Sequence, residues 1–441
     1  MRTHFTAEQR SRPSIRVADE VLRKCVHCGF CTATCPTFRL TGDERESPRG
    51  RITLIQNLLE SETSPTAETV ANLDHCLSCL ACESTCPSGV SYRRLIDQGR
   101  ELIEENYQRP LFDRLTRSLL TWLLPRPSWF RRALKIGAIG KPLLRVIGKF
   151  QPLASAMADM MPARLPPIAN AVKPGFHAAQ GEEIMHVALV TGCVQSVLGP
   201  HIDAAAIRVL TRHGCSVTVP KPSAAGCCGA LPHHLGKSKQ ARKMARRNLD
   251  AWRCLRPDPH TARPLDAVVM TASGCTSMLR DYPHVLLGEV DYQKIDINFF
   301  ELSQILNELF TINPPLVTNP DLPKTLAWQA PCSLQHGMQE KSAPITILRA
   351  CGFEVLQPRD AHLCCGSAGT YNLLQSEFAM QLGKDKGAKL RATGAPLVVS
   401  ANIGCITQLG SPHLCDSPLP VIHLAEVLDW ATGGPKPDAL R

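Results

Sequence analysis

Lys24-Cys25-Val26-His27-Cys28-Gly29-Phe30-Cys31-Thr32-Ala33-Thr34-Cys35-Pro36 is a phrase the chain writes twice; the second version is His75-Cys76-Leu77-Ser78-Cys79-Leu80-Ala81-Cys82-Glu83-Ser84-Thr85-Cys86-Pro87. Both read C-x2-C-x2-C-x3-C-P, the run that holds cubane [4Fe–4S] clusters in two-cluster ferredoxins. Three closely spaced thiolates wrap three irons of one cube. The fourth, set off by a longer step and a proline, turns to the other cube. The spacing therefore assigns Cys25, Cys28, Cys31 and Cys86 to one cluster and Cys76, Cys79, Cys82 and Cys35 to the other. A zinc site needs only four thiolates in two pairs, and a disulfide framework belongs to small secreted domains. Neither accounts for this wording, and the expectation is a chain that carries electrons.

Working outward, the insert between the two phrases has a helix signal: Ser47 as cap, Pro48 at the first helical position, then Ile52, Ile55 and Leu59 on one face. Residues Tyr92 to Tyr107 read as another helix, so the module is expected to be all-helical rather than the small β-rich kind. Between Arg109 and Lys149 lie ten basic residues against one acid, Asp113, interleaved with Trp122, Trp129, Phe130 and many leucines. Such a pattern suits short helices, broken at Pro125, Pro127 and Pro142, lying in the headgroup region of an anionic membrane. It equally suits a connector that packs on its own protein. Nothing else in the chain resembles a nucleic-acid module, and no nucleic acid is expected as a partner. A Pro/Ala-rich linker follows to about residue 182.

At 441 residues the chain is too long for one ordinary core. Twenty cysteines in a well-mixed sequence point to a reducing compartment and to metal ligation. The first twenty residues hold no apolar run, and no stretch of eighteen apolar residues occurs, so neither a secretory signal nor a transmembrane helix is expected. The location expected is cytoplasmic, peripheral on the inner face of the membrane if the basic stretch binds lipid.

From about residue 183 the chain repeats itself. His186-Val-Ala-Leu-Val-Thr-Gly-Cys193 is matched by Leu326-Ala-Trp-Gln-Ala-Pro-Cys332, Cys215 by Cys351, Cys227-Cys228-Gly229 by Cys364-Cys365-Gly366, and Cys275 by Cys405. The offsets are 139, 136, 137, 137 and 130 residues. Short apolar strands alternating with helices imply parallel β-sheet in α/β layers. The fold class expected is α + α/β multidomain: a helical ferredoxin module over 1–108, the basic connector and linker over 109–182, and pseudo-symmetric cysteine-rich lobes over 183–315 and 316–441. In each lobe the cysteines sit at strand ends, where α/β folds place ligands. Cys193, Cys227, Cys228 and Cys275 are expected to converge, as are Cys332, Cys364, Cys365 and Cys405. Four thiolates suit a further iron–sulfur cluster; a redox-active vicinal thiol pair is the competing reading. Cys215 and Cys351 open buried strands and read as packing residues, Cys254 and Cys415 have no clear repeat partner and no role, and His233, His234, His336 and His362 read as packing or helix-start residues.

No G-x-G-x-x-G follows a strand, and there is no P-loop, H-E-x-x-H or G-x-S-x-G motif. Two-electron oxidation of an organic substrate needs a hydride acceptor. With no recognisable flavin or nicotinamide site on this chain, that chemistry is expected on a flavin-bearing partner.

The first cysteine phrase, with Gly42-Asp43-Glu44 and Ser47-Pro-Arg-Gly-Arg-Ile52, resembles the iron–sulfur subunit of bacterial glycolate oxidase (glycolate dehydrogenase), as does His75 to Val90. The Cys-Cys-Gly lobes are similar to repeats of that subunit, of heterodisulfide reductase and of anaerobic glycerol-3-phosphate dehydrogenase. The resemblance implies FAD-containing subunits that oxidise glycolate to glyoxylate. This chain would pass the electrons through two [4Fe–4S] clusters, and one or two more if the lobes hold them, toward membrane quinone. The equivalent subunit for lactate or glycerol 3-phosphate is the nearest alternative; a disulfide-reducing catalytic subunit and a non-enzymatic iron or oxygen sensor are of other classes. The chain departs from the fullest repeat, which ends C-x-x-C: here Cys275-Thr-Ser-Met278 and Cys405-Ile-Thr-Gln408 stand instead. That puts the noncubane clusters of heterodisulfide reductase in doubt.

Overall fold

A computed structural model of the chain describes all residues except 62, 149–150, 163, 169–171, 222–225, 254–262, 293 and 412–419. Lys149, Cys254 and Cys415 thus lie outside the described residues. Among those described, no strand precedes Gly175, and the N-terminal module is helical. Its principal helices are Pro13–Lys24, Pro48–Ser61, Ala67–Asp74 and Tyr92–Asn106. They close over Leu22, Ile55, Leu73, Leu95, Ile96 and Ile103, all fully buried, and each such side chain is worth about 1.5–3 kcal/mol. Ser47 accepts from the Gly50 amide at 3.0 Å, so the capping role read from the sequence stands. Gly50 itself allows no side chain, because a Cβ there would lie 2.0 Å from the Glu44 carbonyl oxygen. That close approach brings the Asp43–Glu46 turn under the start of the helix.

The connector forms helices Leu111–Leu123 and Pro127–Gly148. The chain breaks before Pro127, as expected, but Pro142 sits inside the second helix instead of ending it. The carbonyl that loses its partner to Pro142 belongs to Ala138, an exposed residue, so water satisfies it. Leu120, Leu124 and Phe130 are buried against Val197 and Leu231, while Leu111, Phe112, Leu119, Trp122, Trp129 and Ile139 are exposed. Both faces of the basic stretch are therefore apolar in part, one turned inward and one outward. Among the described residues no helix is long and apolar enough to cross a membrane. The stretch read as loose linker contains helix Pro152–Met160 and strand β1, Gly175–His177.

Two sheets follow. The first joins β1, β2 (Met185–Leu189), β3 (Cys215–Val219), β4 (Ala267–Met270) and β5 (Phe299–Glu301) in the order β1-β3-β2-β4-β5. The second joins β6 (Thr325–Gln329), β7 (Glu354–Leu356), β8 (Val398–Ser400) and β9 (Val421–His423) in the order β7-β6-β8-β9. Every pairing is parallel except β1 with β3. Apart from that edge strand the two orders coincide, so the repeat in the sequence is a repeat of topology.

The lobes share one apolar core running from Val187 and Leu210 to Val399 and Leu428. Across it, helix Pro200–Arg212 packs on Leu424–Ala431, and Leu302–Ile312 packs on Ala343–Ala350. The first helix of each lobe thus meets the last helix of the other, the exchange expected of a pseudo-two-fold axis. β5 and β9 went unread in the sequence because neither adjoins one of the repeated cysteines from which the other lobe strands are read. Both end in a buried capping residue, Glu301 and His423, that opens the lobe's last helix with a capping box. The His423 ring also reaches across to the Thr271 carbonyl at 2.9 Å, tying one lobe to the other.

Candidate metal centre

The two cysteine phrases fold into matching loops. His27 and Gly29 in the first, and Ser78 and Leu80 in the second, have φ values of 55°, 84°, 51° and 62°. These left-handed residues curl the backbone tightly enough for three thiols of one loop to face a common centre. Cys86 comes from the second phrase but lines the same small cavity as Cys25, Cys28 and Cys31. Cys35, from the first phrase, lies instead among the second phrase's thiols: its charge acts on Cys79 and Cys82, along with that of Cys76. Cys82 lines that first cavity as well, so the two groups of thiols adjoin. Sulfur donors from two segments around one centre suit an iron–sulfur cube.

The two groups differ in surroundings. Cys28 is exposed and is flanked by the exposed side chains Val26 and Phe30. Cys35, Cys76, Cys79 and Cys82 are all buried. Beside them lies Arg51, only 1% exposed. Its guanidinium donates to the Asn72 carbonyl at 2.7 Å and to Glu46 at 2.5 Å, and lies 3.8 Å from the Cys35 sulfur. Burial works against this charge, but Cys76, Tyr92, Cys35 and Glu46 outweigh it and hold the guanidinium above its usual range. Tyr92 points its hydroxyl at the Cys76 sulfur at 3.6 Å, and Arg100 donates to the Cys76 carbonyl and to Ser78. A buried cation of this kind offsets the negative charge of a thiolate-bound cluster.

The lobe cysteines come together as expected. Cys193 lies 3.5 Å from Cys227, Cys332 lies 3.8 Å from Cys364, and Cys365 lies 3.3 Å from Cys405, sulfur to sulfur; the free thiols of Cys228 and Cys275 are within hydrogen-bonding reach of each other. All eight line one large cavity between the lobes. Gly229 and Gly366 follow the vicinal pairs with φ of 87° and 88°, and a Cβ on Gly366 would lie 2.6 Å from the Ala379 carbonyl. The Cys-Cys-Gly wording therefore reflects a left-handed turn pressed against a helix. Met278 and Gln408, which replace the last cysteine of the fullest repeat, are buried, and Gln408 donates to the Ala379 carbonyl. Cys215 and Cys351 are buried in the shared core, where burial pushes the Cys351 thiol up to about 12.

One difference between the lobes was not read from the sequence. Lys386, 1% exposed, lies on helix Ser376–Arg391. Its Nζ donates to the Ala361 carbonyl at 2.9 Å. Burial pulls its pKa down, opposed by the charges of Cys365, Cys364, Cys405 and Cys332. At the equivalent turn of helix Ser238–Arg253 stands Asn248, which donates to the Cys227 carbonyl at 3.0 Å and carries no charge. In that lobe the bond to Cys227 and burial hold Cys193 well above the usual thiol range, whereas Cys227, accepting from Cys193 and Cys228, is held well below it.

The N-terminal module docks on both lobes. Cys79 and Leu77 share an apolar cluster with Cys364 and Tyr371, and Cys332 packs against it. Burial raises the Cys79 thiol, and charge on Cys332 raises it further. His336 donates from Nε2 to the His362 carbonyl at 2.8 Å, leaving Nδ1 to accept from Ser84 at 2.7 Å. On the other lobe, Asp97 lies 3.1 Å from His233 and 3.8 Å from His234. Burial opposes both charges of the first pair, yet their attraction holds Asp97 well below the carboxylate range and His233 above the usual imidazole value. Asp281, close enough to join Asp97 and His233 around an ion, is bonded through both oxygens to Arg94 at 2.8 and 2.5 Å. These groups are read most simply as an ionic clamp between module and lobe.

Residues 21–90 match the family described as a 4Fe-4S dicluster domain, and residues 187–280 and 326–410 each match the cysteine-rich domain. The chain is 38% identical to the glycolate oxidase iron-sulfur subunit of Escherichia coli, covering 98% of this chain and 99% of the relative. It is 30% identical to the probable glycolate oxidase iron-sulfur subunit of Bacillus subtilis, covering 95% and 96%. Lactate utilization protein A of Geobacillus thermodenitrificans is 25% identical over 56% of this chain and 99% of its own length. Among solved structures, a hypothetical protein from Helicobacter pylori shares the fold, with a TM-score of 0.57 at 9% identity, over 99% of this chain and 75% of that one.

Proposed function

Because the chain belongs to the family of glycolate oxidase iron–sulfur subunits, we propose that it carries electrons from FAD-containing subunits that oxidise glycolate to glyoxylate toward membrane quinone. The observation that carries this reading is the line of thiols. It runs from exposed Cys28 through the buried group of Cys35, Cys76, Cys79 and Cys82 to Cys364 and Cys332, which pack around Cys79. Cys25, Cys28, Cys31 and Cys86 hold one [4Fe–4S] cluster and the buried group a second, and these groups supply one-electron carriers. The exposed group, with Val26 and Phe30 beside it, is where the flavoprotein docks. Lobe 2, with Lys386 beside its thiols, holds a further cluster through Cys332, Cys364, Cys365 and Cys405; Cys193, Cys227, Cys228 and Cys275 remain thiols.

The test is anaerobic isolation of the chain with whatever copurifies, followed by separate additions of glycolate, D-lactate, L-lactate and glycerol 3-phosphate. Cluster reduction is followed by electron paramagnetic resonance. Reduction by glycolate through a copurifying flavoprotein is the expected result. The lactate utilization relatives favour lactate as second reading, and reduction by lactate alone would establish it. If no hydroxy acid reduces the clusters, the dehydrogenase reading fails.

The connector's basic and aromatic surface supports peripheral contact with an anionic membrane, which we place on the cytoplasmic face. Arg126 stacks over Trp122 at 5.0 Å and Arg132 over Trp129 at 5.2 Å, which sets cations and exposed aromatic rings side by side as an interfacial helix requires. Arg126 also donates to the Trp122 carbonyl within its own turn, whereas Arg131 is tied across to the Pro166 carbonyl at 2.7 Å. Replacing Arg126 and Arg132 by Gln is expected to release the protein from anionic vesicles, as raised salt does for the wild type. Equal sedimentation of variant and wild type with such vesicles contradicts lipid contact.

A further inference from the structure

We propose that the large cavity beneath the connector binds an isoprenoid quinone and is where it is reduced; this rests on the electron-transfer role above and adds to it a site on this chain. The cavity measures about 410 Å³ with its thiol-lined end included; a cluster on Cys332, Cys364, Cys365 and Cys405 would take that end, and the connector side is left for the ligand. Part of its wall is formed by lobe thiols, among them Cys332 and Cys364, which pack around Cys79. One flank is apolar and comes from the connector and the linker helix: Leu120, Leu124, Phe130, Leu134, Met157 and Met161; polar side chains of the module and the lobes, among them Arg100, Gln195, Asn372 and Asn402, complete the lining. The helices that roof the cavity are the same ones that expose Leu119, Trp122, Trp129 and Ile139 on the outside. One side of the roof is thus apolar toward the cavity and the other apolar toward the surroundings.

That combination selects the ligand class. An electron acceptor with an apolar tail and a planar head carrying two carbonyl oxygens needs a greasy passage, a one-electron donor at its inner end and a hydrogen-bond donor for an oxygen. His234 lines the cavity, and its Nδ1 lies 3.8 Å from Asp97, whose other oxygen meets His233 at 3.1 Å. With Nδ1 facing that carboxylate, Nε2 is the nitrogen left to serve a quinone oxygen, and Asp97 stabilises the ring while it carries charge. The balance is complete: the quinone gains two electrons, delivered singly from the iron–sulfur groups and originating in glycolate. It gains two protons from water, one of them through His234, and leaves as quinol with no other bond broken.

The experiment uses the complex isolated with its flavoprotein. A photoreactive azido derivative of decylubiquinone is bound and illuminated, and the labelled peptides are identified with and without excess decylubiquinone. Label on the segments holding Leu120 to Leu134 or Met157 to Met161, removed by the competitor, is the expected result. Leu124→Trp, which fills the cavity, is expected to lower both labelling and decylubiquinone reduction at least tenfold; cluster reduction by glycolate reports whether the variant has folded. His234→Gln is expected to keep the label and slow quinone reduction at least tenfold, and full-rate reduction in this variant would remove His234 from the proposal. If the wild-type complex reduces decylubiquinone while the label lies elsewhere, the site is wrong and the electron-transfer reading stands. If glycolate reduces the clusters but no quinone is reduced, the quinone reading itself fails, and the site with it.

Discussion

Arg51→Met is expected to lower the reduction potential of the cluster assigned to Cys35, Cys76, Cys79 and Cys82 by roughly 100 mV. The guanidinium lies 3.8 Å from the Cys35 sulfur and is closed off from water. At an effective dielectric near 20, a unit charge within a few ångströms is worth on the order of 2–4 kcal/mol. A one-electron potential moves by about 59 mV for each 1.4 kcal/mol. The added electron makes the cluster more negative, so removing a neighbouring positive charge disfavours reduction and drives the potential down. Glu46, 5% exposed, would keep His75 as a partner at 2.7 Å but lose its buried cation. Breaking a buried pair from one side costs about 3–5 kcal/mol, so a lower melting temperature should accompany the shift. Arg51→Lys separates the two effects: it keeps the charge, and the potential with it, while losing the bond to the Asn72 carbonyl. A redox titration followed by electron paramagnetic resonance reads the result directly. An unchanged potential in Arg51→Met would mean that the guanidinium serves packing alone.

Much of the site was legible because it is written in spacing. The C-x2-C-x2-C-x3-C-P phrase encodes a loop, and the loop dictates which thiols can face one another; the proposed exchange of Cys35 and Cys86 rests on a single extra residue and a proline. The repeat of the lobes was visible for the same reason, through Cys-Cys-Gly turns that tolerate no other residue after the pair. What escaped is what spacing does not encode. β5 and β9 have no repeated cysteine beside them, unlike the equally short β7 and β8, which lie next to Cys351 and Cys405. Pro142 was read as a break, yet solvent at Ala138 relieves the lost hydrogen bond. Arg51 and Lys386 left a trace that went unused. Arg51 falls on the stripe of Ile52, Ile55 and Leu59, and Lys386 on that of Ala379, Leu382 and Leu390. A charge on a buried stripe needs a counter-charge nearby, and in both cases thiols are close at hand.

Lys386→Met is expected to abolish the cluster assigned to lobe 2 while leaving the two N-terminal clusters intact. A thiolate-bound cluster brings net negative charge into a site where all four cysteines are buried or nearly so, and without a cation that charge is not offset. The charges of all four cysteines act on Lys386. Methionine is one atom shorter and removes the lysine's bond to the Ala361 carbonyl, which keeps Gln335 as a donor at 3.2 Å, a loss of about 0.5–1.5 kcal/mol that the fold can absorb. Iron analysis and electron paramagnetic resonance on the anaerobically purified protein should therefore show one cluster fewer in a chain that still melts cooperatively. The lobes supply their own control, because Asn248 stands neutral where lobe 2 has its lysine. Cys332→Ser should reproduce the loss of iron and Cys193→Ser should not, although the two cysteines occupy equivalent strand ends. Equal loss from both would mean that the lobes ligate alike and that charge does not separate them. Retention of iron in Lys386→Met, with loss in Cys332→Ser, would instead leave the cluster in lobe 2 and make the lysine a regulator of its potential.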